Sequence, residues 1–389
     1  MRILKILPYF TLSRGGPVVS ALSQSRELSK RGHEVAIATT TFGIDDDLCK
    51  SARGQGVTMF PFKDSMNIGD FIISPSMGKW MKKNVQRYDV IHMHDFRSYQ
   101  NNLSHHYAKR YGTPYVLQAH GSVLPFFQRV MMKRAYDVVW GQRVLAHARY
   151  LIALKRMEFD QYLRMGVGSD RVTIMPNAIN LSDCSELPPL GQFKKKYGIE
   201  PDERIILFLG RIHRVKGIDL LVKAFSRAIK KTGDVRLAIV GPDCGYLASI
   251  RRLIASLDLD RLVVLTGPLH GKSKMEAYVD SDVYVLPSGY EIFGNTILEA
   301  VACGTPVITT DRCGLSDFVS NFGYVVRYEV DELEDAILRI LDSREMKNRV
   351  IEKGWRTLEQ EFNMAAIGAK LEETYEKAID AESRSSFRP

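Results

Sequence analysis

The chain has 389 residues, enough for two domains of ordinary size, and its 45% hydrophobic and 25% charged residues are typical of a globular protein. No apolar run reaches the roughly 18 residues that span a bilayer. The five cysteines are scattered, odd in number and never spaced as CxxC. The composition therefore excludes membrane-spanning, disordered and disulfide-stapled proteins, argues against a zinc site, and predicts a cytoplasmic protein with reduced thiols.

The net charge of +9 is concentrated in the first half of the chain. Residues 1–190 hold 25 Lys and Arg against 15 Asp and Glu, a balance of +10, and the remainder holds 29 against 30, a balance of −1. This asymmetry predicts an anionic partner for the first half, and nucleic acid, an anionic membrane surface or a lipid-diphosphate acceptor would fit. A basic surface that only confers solubility is the alternative. Because no zinc finger, RNP motif or aromatic and basic strand face occurs, we expect no nucleic acid.

Short β-branched runs alternate with longer amphipathic stretches along most of the chain. In the first half the runs are 3–7, 35–39, 90–94, 115–119, 151–154 and 172–175; in the second they are 205–209, 237–240, 263–265, 283–286, 307–309 and 324–326. Their near-continuous apolarity is typical of parallel strands covered on both faces. We therefore predict an α/β protein with two Rossmann-like, doubly wound domains facing each other across a cleft.

The boundary between these domains is expected in the proline-containing segment 182–190. We predict an N-terminal domain over 1–187 and a C-terminal domain over 188–363. Residues 364–389 form a last amphipathic helix over about 364–381 and a polar tail from about Ser383.

The first strand leads into Gly15-Gly16-Pro17 and then a helix over 18–31. Glycines let backbone N–H groups approach a phosphate, and the start of a helix adds partial positive charge. The same pattern also serves as a simple turn and helix start, so a phosphate contact of Gly15 and Gly16 is one of two interpretations.

The first strand of the second domain leads into a loop over 210–217 that is bounded by glycines. Arg211 and Lys216 lie five residues apart on this loop. Two cations at the carboxyl end of a strand can converge on a diphosphate, Arg211 through its planar fork and Lys216 as a point charge. A solvated basic turn would explain the charges but not the flanking glycines.

The segment 286–300 runs from a strand end through a proline turn and a glycine-bearing loop into a helix that begins at Asn295. Backbone N–H groups near Gly294 and Asn295 are expected to face a phosphate. Glu291 and Glu299 flank this region, where carboxylates suit sugar or ribose hydroxyls better than phosphate. Two acids on an exposed helix are also common as solvated side chains.

The fourth run, over 115–119, delivers His120 and Gly121 to a strand end in the first domain. A histidine at that edge can contact a donor sugar and assist the departure of a leaving group. The alternative is a purely structural histidine.

Together these segments resemble the family 4 retaining glycosyltransferases of the GT-B fold, over nearly the whole chain. The E-x7-E pattern of Glu291 and Glu299, with Phe293-Gly294 between them and the following 302–307 segment, carries most of the resemblance. Two positions depart from the family pattern. Ala178 replaces the glycine of a Pro-Asn-Gly segment, and Asp317 stands where a glutamate is more frequent, which leaves its role open.

The resemblance implies a role for each site residue. Glu291 would bind hydroxyls of the donor sugar and Glu299 those of the ribose, while His120 would contact the sugar near its reacting carbon. Arg211 and Lys216 would neutralise the departing diphosphate. The resemblance also implies donor contacts in two loops. They are Gly15 and Gly16 in the first domain, and Ile292, Phe293, Gly294 and Asn295 in the second. The last helix would cross back onto the first domain.

We therefore expect a metal-independent hexosyltransferase with no cofactor besides its nucleotide-sugar co-substrate. UDP-hexose such as UDP-glucose is favoured and GDP-mannose is next, and the acceptor is expected to be a glycan or lipid-linked glycan of bacterial polysaccharide synthesis. A sugar-nucleotide epimerase of the same architecture and a non-catalytic nucleotide-sugar-binding protein are the alternatives.

Three other segments suggest different chemistry. Asp45-Asp46-Asp47 contains the D-x-D of metal-dependent transferases but lies in an early polar loop, so we expect no metal there. His92 and His94 have metal-ligand spacing, yet alternate strand residues share a face, and we expect them to line the cleft or acceptor site. The stretch 124–134 mixes bulky apolar and basic residues, which suits either a core helix or a membrane or lipid contact. With the basic first half it favours peripheral contact with the inner face of the cell membrane.

Overall fold

The computed structural model describes residues 1–69, 71–125, 129–184, 186–343 and 345–386, which form two compact units. Met1–Ala178 and the segment from Met364 onward make up the first unit, and Ile179–Asn363 is the second. The chain thus changes unit after Ala178 rather than after residue 187. The N–H of Ile179 donates to the carbonyl of Phe362 at 3.2 Å, so the first residue after this boundary is bound within the second unit. In the expected linker, Leu181–Cys184 form a 3₁₀ turn, and Ser185 lies outside the described residues.

The first unit is built on a seven-stranded parallel sheet with the order β3-β2-β1-β6-β7-β8-β9. Its strands are β1 (Arg2–Ile6), β2 (Glu34–Thr40), β3 (Val57–Phe62), β6 (Val90–His94), β7 (Tyr115–Gln118), β8 (Tyr150–Ala153) and β9 (Val172–Ile174). A separate antiparallel hairpin pairs β4 (Met66–Ile68) with β5 (Phe71–Ile73). The helices are α1 (Gly16–Lys30), α2 (Asp46–Gly54), α3 (Pro75–Asn84), α4 (Tyr99–Tyr111), α5 (Val130–Tyr136), α6 (Gln142–His147), α7 (Arg156–Arg164) and the C-terminal α17 (Met364–Ser386).

The second unit repeats this plan with a six-stranded parallel sheet in the order β12-β11-β10-β13-β14-β15. Its strands are β10 (Arg204–Leu209), β11 (Val235–Val240), β12 (Val263–Gly267), β13 (Val283–Leu286), β14 (Val307–Thr310) and β15 (Tyr324–Val326). Its helices are α8 (Gln192–Tyr197), α9 (Ile218–Thr232), α10 (Leu247–Ser256), α11 (Gly271–Val279), α12 (Asn295–Ala302), α13 (Ser316–Ser320), α14 (Val330–Asp342), α15 (Glu345–Arg349) and α16 (Trp355–Glu361). The predicted α/β architecture with two parallel sheets is confirmed.

All twelve predicted strands are present, and the one strand of the two parallel sheets that the sequence analysis missed, among the described residues, is β3. This strand lies at the edge of the first sheet, where β2 is its one partner among the described residues. It contains Pro61, which cannot donate to a ladder and is tolerated mainly in edge strands. The proline hid a strand that the apolar residues Val57 and Met59, two positions apart, would otherwise have indicated.

The C-terminal helix α17 packs on the first unit, as expected. Its apolar side chains Ile367, Leu371, Tyr375 and Ala378 recur at helical spacing and are buried in the same core as α1 and the near face of the sheet. Residues 387–389 of the expected polar tail lie outside the described residues, and the helix itself continues through Ser383 to Ser386.

Each sheet has one point where the strand order reverses. In the first unit β1 pairs with β2 on one side and β6 on the other; in the second unit β10 lies between β11 and β13. The helices that follow strands on opposite sides of such a point leave on opposite faces, which opens a crevice at the carboxyl ends of the strands. The loops after β10 and β13 carry most of the predicted donor-binding residues. In the described ranges, no helix is both long enough and apolar enough to cross a bilayer.

Candidate active site

The loop after β10 is fixed against the loop after β13 by a glycine. Gly217 has φ of +65°, and a Cβ there would lie 1.9 Å from the carbonyl oxygen of Pro287. The N–H of Gly289 donates to the carbonyl of Val215 at 2.9 Å. Because only glycine permits this approach, the two loops are held side by side at the switch point of the second sheet.

Lys216 and Glu291 meet where these loops touch. The Lys216 ammonium donates to Glu291 Oε2, and their side chains are only 13% and 17% exposed. The Glu291 backbone is itself fixed, since its N–H donates to the carbonyl of Arg312 and its carbonyl accepts from Gly314. The sequence analysis gave these side chains separate roles, and the structure joins them in one ion pair. Any anion that engages Lys216 is therefore bound next to the Glu291 carboxylate.

The start of α12 lies beside this pair. Gly294, in the left-handed region with φ of +81°, precedes Asn295, and a Cβ on Gly294 would lie 3.4 Å from Glu291 Cγ. Gly294 is the N-cap residue and has no side chain with which to cap the helix. The first N–H groups of a helix lack intrahelical partners and carry partial positive charge, so this helix start suits an anion. The hydroxyl of Tyr284 reaches the second residue of the helix, donating to Thr296 Oγ1 at 2.6 Å.

Glu299, one turn further along α12, is held by two side chains that the sequence analysis missed. Lys274 donates to Glu299 Oε1 at 2.7 Å and the Tyr278 hydroxyl donates to Oε2 at 3.0 Å. Burial disfavours the charge on Lys274, but the adjacent carboxylate more than offsets this and raises the pKa of Lys274 above its usual value. Lys274 and Tyr278 lie four residues apart on α11, and that spacing was the one available signal.

The remaining predicted residues of the second unit are of two kinds, two with buried side chains and two with exposed ones. Ile292 and Phe293 are buried, and the Phe293 ring packs edge-on to Phe362 with centroids 5.8 Å apart. Their side chains serve the core, so any donor contact there must use the backbone. Arg211 is exposed, and none of the ion pairs in the described ranges involves it. Asp317 is also exposed, in the first turn of α13.

In the first unit, Gly15 and Gly16 lie at the start of α1, which follows β1. Gly15 precedes the helix with φ of +76° and Pro17 lies in the first turn. Gly15 is the N-cap residue and likewise has no side chain with which to cap the helix. A positive φ, rather than close packing, explains glycine at position 15, because a Cβ there would meet no atom within 4 Å.

His120 follows β7 and lies in a row of adjacent imidazole rings with His94 and His92. His94 Nδ1 and His120 Nε2 lie 2.9 Å apart, and the rings of His92 and His94 stack with centroids 4.2 Å apart. His92 Nδ1 lies 2.7 Å from the hydroxyl of Tyr375 on α17. His92 and His94 do share a face of β6, but both are completely buried, which corrects the expectation that they line a cleft. Burial lowers the pKa of both.

Asp45 has a local structural role. It precedes α2, and its carboxylate accepts a hydrogen bond from the N–H of Leu48 at 2.9 Å, so it is the N-cap of that helix. Asp46 and Asp47 occupy the first turn of the helix rather than a loop, where their charge favours the positive helix end.

Two family models match the chain, one for each unit. The model described as Glycosyltransferase Family 4 matches residues 14–183, and the model described as Glycosyl transferases group 1 matches residues 191–357. The chain therefore belongs to the family 4 glycosyltransferases, and the resemblance drawn from its sequence is confirmed.

Individual relatives agree with this assignment. An uncharacterised glycosyltransferase of Methanocaldococcus jannaschii is 24% identical over 95% of this chain and 96% of its own. A D-inositol 3-phosphate glycosyltransferase of Xylanimonas cellulosilytica is 28% identical over 78% of this chain and 77% of its own. Among solved structures, Anabaena HepE in complex with UDP-glucose superposes with a TM-score of 0.79 at 17% identity, covering 96% of this chain and 99% of that one. The likeness to HepE shows that the fold is of the GT-B type.

Proposed function

We propose that the protein transfers a hexose from a UDP-sugar, UDP-glucose being favoured and GDP-mannose next, with retention of configuration and without a metal ion. The observation that carries the proposal is the grouping at the second switch point. There one anion-facing helix start, two cations and two carboxylates lie on the loops after β10 and β13 and on α12. The structure of HepE with UDP-glucose supports the choice of donor.

In this proposal each group acts on a different part of the donor. The Lys216 ammonium, the Arg211 guanidinium and the N–H groups at the start of α12 bind the diphosphate. Negative charge grows there as the bond between the anomeric carbon and the phosphate oxygen breaks, and fixed positive groups lower the barrier at that point. Glu291 accepts hydrogen bonds from sugar hydroxyls and Glu299 from the ribose.

The acceptor step completes the balance of atoms. The acceptor oxygen forms its bond to the anomeric carbon on the face that the diphosphate leaves, and the acceptor proton passes to the departing phosphate oxygen. His120 contacts the sugar near the reacting carbon. No protein nucleophile is required in this scheme, which is consistent with Glu291 already being paired with Lys216.

The donor assignment is tested by melting the purified protein with UDP-, GDP- and ADP-sugars in the presence of EDTA. A ligand that binds only the folded state raises its stability by about 2.7 kcal/mol at a concentration 100 times its Kd. We expect UDP-glucose to raise the melting temperature most. Equal melting temperatures with every sugar nucleotide would contradict the proposal. Product analysis then separates a transferase, which releases UDP, from an epimerase, which releases a changed UDP-sugar.

The acceptor is proposed to be a glycan or lipid-linked glycan in bacterial polysaccharide synthesis, with the first unit on the cytoplasmic face of the membrane. An apolar surface on that unit supports this choice. Its exposed members lie on the helical stretch from α5 to α6 and on the β4–β5 hairpin: Met131, Met132, Val138, Val139, Trp140, Met66 and Ile68. The two segments are adjacent, since the rings of Phe71 and Tyr136 are 6.3 Å apart. Phe126, Phe127 and Gln128 of the stretch 124–134 lie outside the described residues.

The charges of the helical stretch also suit an anionic bilayer. Residues 130–147 hold three basic residues, Lys133, Arg134 and Arg143, and one acid, Asp137. Asp137 is buried and bound by the Arg97 guanidinium at 2.7 Å, so it does not face solvent. Exposed apolar side chains flanked by basic residues are typical of interfacial helices, and each basic residue near an anionic surface contributes about 1 kcal/mol.

Vesicle co-sedimentation tests this contact with two matched substitutions. Met131 is 76% exposed on the apolar surface, and Leu190 is 75% exposed in the second unit. We expect Met131→Glu to weaken binding to vesicles of phosphatidylglycerol and phosphatidylcholine, and Leu190→Glu to leave it unchanged. Equal binding by both variants and the unaltered protein would refute the assignment. A transfer assay that offers a lipid-linked saccharide or D-inositol 3-phosphate as acceptor distinguishes the proposed acceptor from that of the Xylanimonas relative.

A further inference from the structure

The turn that carries His120 has an unusual backbone. After β7 the chain turns over residues 119–122, and His120 has φ of +52° while Gly121 has φ of +86°. A left-handed conformation costs a residue with a Cβ roughly 1–2 kcal/mol. Such a conformation persists where the surrounding structure imposes it, and it is often found at functional sites.

Helix α7 imposes this conformation from both sides of His120. The N–H of Gly121 donates to Glu158 Oε1 at 2.5 Å, and the N–H of Ala119 donates to the Tyr162 hydroxyl oxygen at 3.1 Å. The second oxygen of Glu158 accepts from the N–H of Leu154 at 2.8 Å, which ties the turn to the end of β8. Glu158 and Tyr162 are fully buried and lie four residues apart on one face of α7.

The imidazole of His120 is oriented as well. Its Nε2 lies 2.9 Å from His94 Nδ1, and the two rings are nearly parallel at 14°. Its Nδ1 has no hydrogen-bond partner within the described residues. The backbone of His120 is thus held on both sides and its imidazole is engaged through Nε2, while Nδ1 is buried.

We propose that Glu158 and Tyr162 are positioning residues that set the orientation of His120 for its contact with the donor sugar. This inference rests on the role of His120 in the proposed function. Neither residue is expected to touch substrate, because both are buried beneath the turn. A carboxylate is suited to this place because its two oxygens accept from two backbone N–H groups at once.

Three substitutions test the inference. Tyr162→Phe removes the hydroxyl next to Ala119. Tyr115→Phe is its matched control, since the Tyr115 hydroxyl is buried at the opposite end of β7 and donates to the Val144 carbonyl at 2.6 Å. Glu158→Gln keeps the shape of the side chain but removes one of its two acceptor oxygens.

The first readout is the imidazole spectrum of protein labelled with ¹⁵N-histidine, whose nine histidines include His120. We expect Tyr162→Phe and Glu158→Gln to shift the His120 ring nitrogens, and Tyr115→Phe to leave them in place although it lowers the melting temperature by a similar amount. Unchanged His120 signals in both test variants would overturn the inference.

The second readout is the rate of UDP release from UDP-glucose, with kcat and KM measured separately. We expect kcat to fall about tenfold in Glu158→Gln and about threefold in Tyr162→Phe, with KM little changed, because a misplaced contact costs rate while the donor still binds. In a His120→Ala background neither substitution should lower kcat further. Full activity of His120→Ala would refute the proposed role of His120, whereas additive losses in the double variants would refute positioning. If UDP-glucose is not turned over, the donor proposal fails and the imidazole spectra still decide the inference.

Discussion

Glu291 and Glu299 are expected to have separable effects on binding. Glu299→Ala should weaken the binding of UDP itself, because this carboxylate is proposed to bind the ribose. Glu291→Ala should weaken only the increment that the sugar adds in UDP-glucose. Its loss also frees the Lys216 ammonium from its ion pair, so UDP alone should bind Glu291→Ala as tightly as the unaltered protein, or more tightly.

The size of the Glu299 effect follows from its partners. A hydrogen bond to a charged group contributes about 1.5–3 kcal/mol, and two ribose hydroxyls would share a carboxylate already bonded to Lys274 and Tyr278. A net loss of about 2–3 kcal/mol corresponds to an increase in Kd of roughly 30- to 150-fold.

Titration calorimetry with UDP and with UDP-glucose gives four dissociation constants for the two variants. Melting temperatures of the unliganded variants control for unfolding, since Glu299→Ala leaves Lys274 with an unpaired charge. An equal loss of UDP affinity in Glu291→Ala and Glu299→Ala would refute the division between sugar and ribose. A reversed pattern would assign the two acids the other way round.

Two further predictions concern stability. Gly217→Ala should lower the melting temperature of the second unit by several degrees more than Gly233→Ala. Both glycines have positive φ, but only at position 217 would the new Cβ lie 1.9 Å from a carbonyl oxygen, that of Pro287. Calorimetric melting of the two variants compares them directly. Burial lowers the pKa of His92 and His94, so the unfolded state binds protons first as the pH falls below about 6.5. The contribution of these histidines to the free energy of unfolding should therefore be fully present above pH 6.5. Below that pH it should fall by up to about 1.4 kcal/mol per pH unit for each histidine. Urea titrations in which replacing both histidines left this slope unchanged would contradict the prediction.

Much of this fold was predictable because both sheets are parallel and buried on both faces. Their strands are therefore continuous apolar runs, and β6, β13 and β15 were predicted with their observed bounds. Strands β4 and β5 could not be predicted in this way, because their hairpin lies outside the main sheets and its residues are partly exposed. The unit boundary was displaced because it depends on which unit each residue packs against: Ile179 is already hydrogen-bonded within the second unit, well before the prolines from which the boundary was predicted.

The candidate site was predictable in its positions and less so in its contacts. The glycine-bounded loop and the start of α12 follow from chain order at strand ends. The partnership of Glu299 with Lys274 depends on packing between α11 and α12, and that of Lys216 with Glu291 depends on two loops 75 residues apart. The burial of His92 and His94 was missed because strand spacing gives the shared face but not the depth. Tyr375 of α17 covers His92, and His94 is packed between the rings of His92 and His120.

The return of α17 to the first unit also determines the order in which the protein can mature. During synthesis every residue of the second unit leaves the ribosome before Met364, the first residue of the helix that completes the first unit. Until then Tyr375, whose hydroxyl lies next to His92, has not been synthesised. The core of the first unit also lacks the apolar side chains that α17 contributes, such as Leu371. The unit whose synthesis begins first is therefore completed only after the whole second unit has been made.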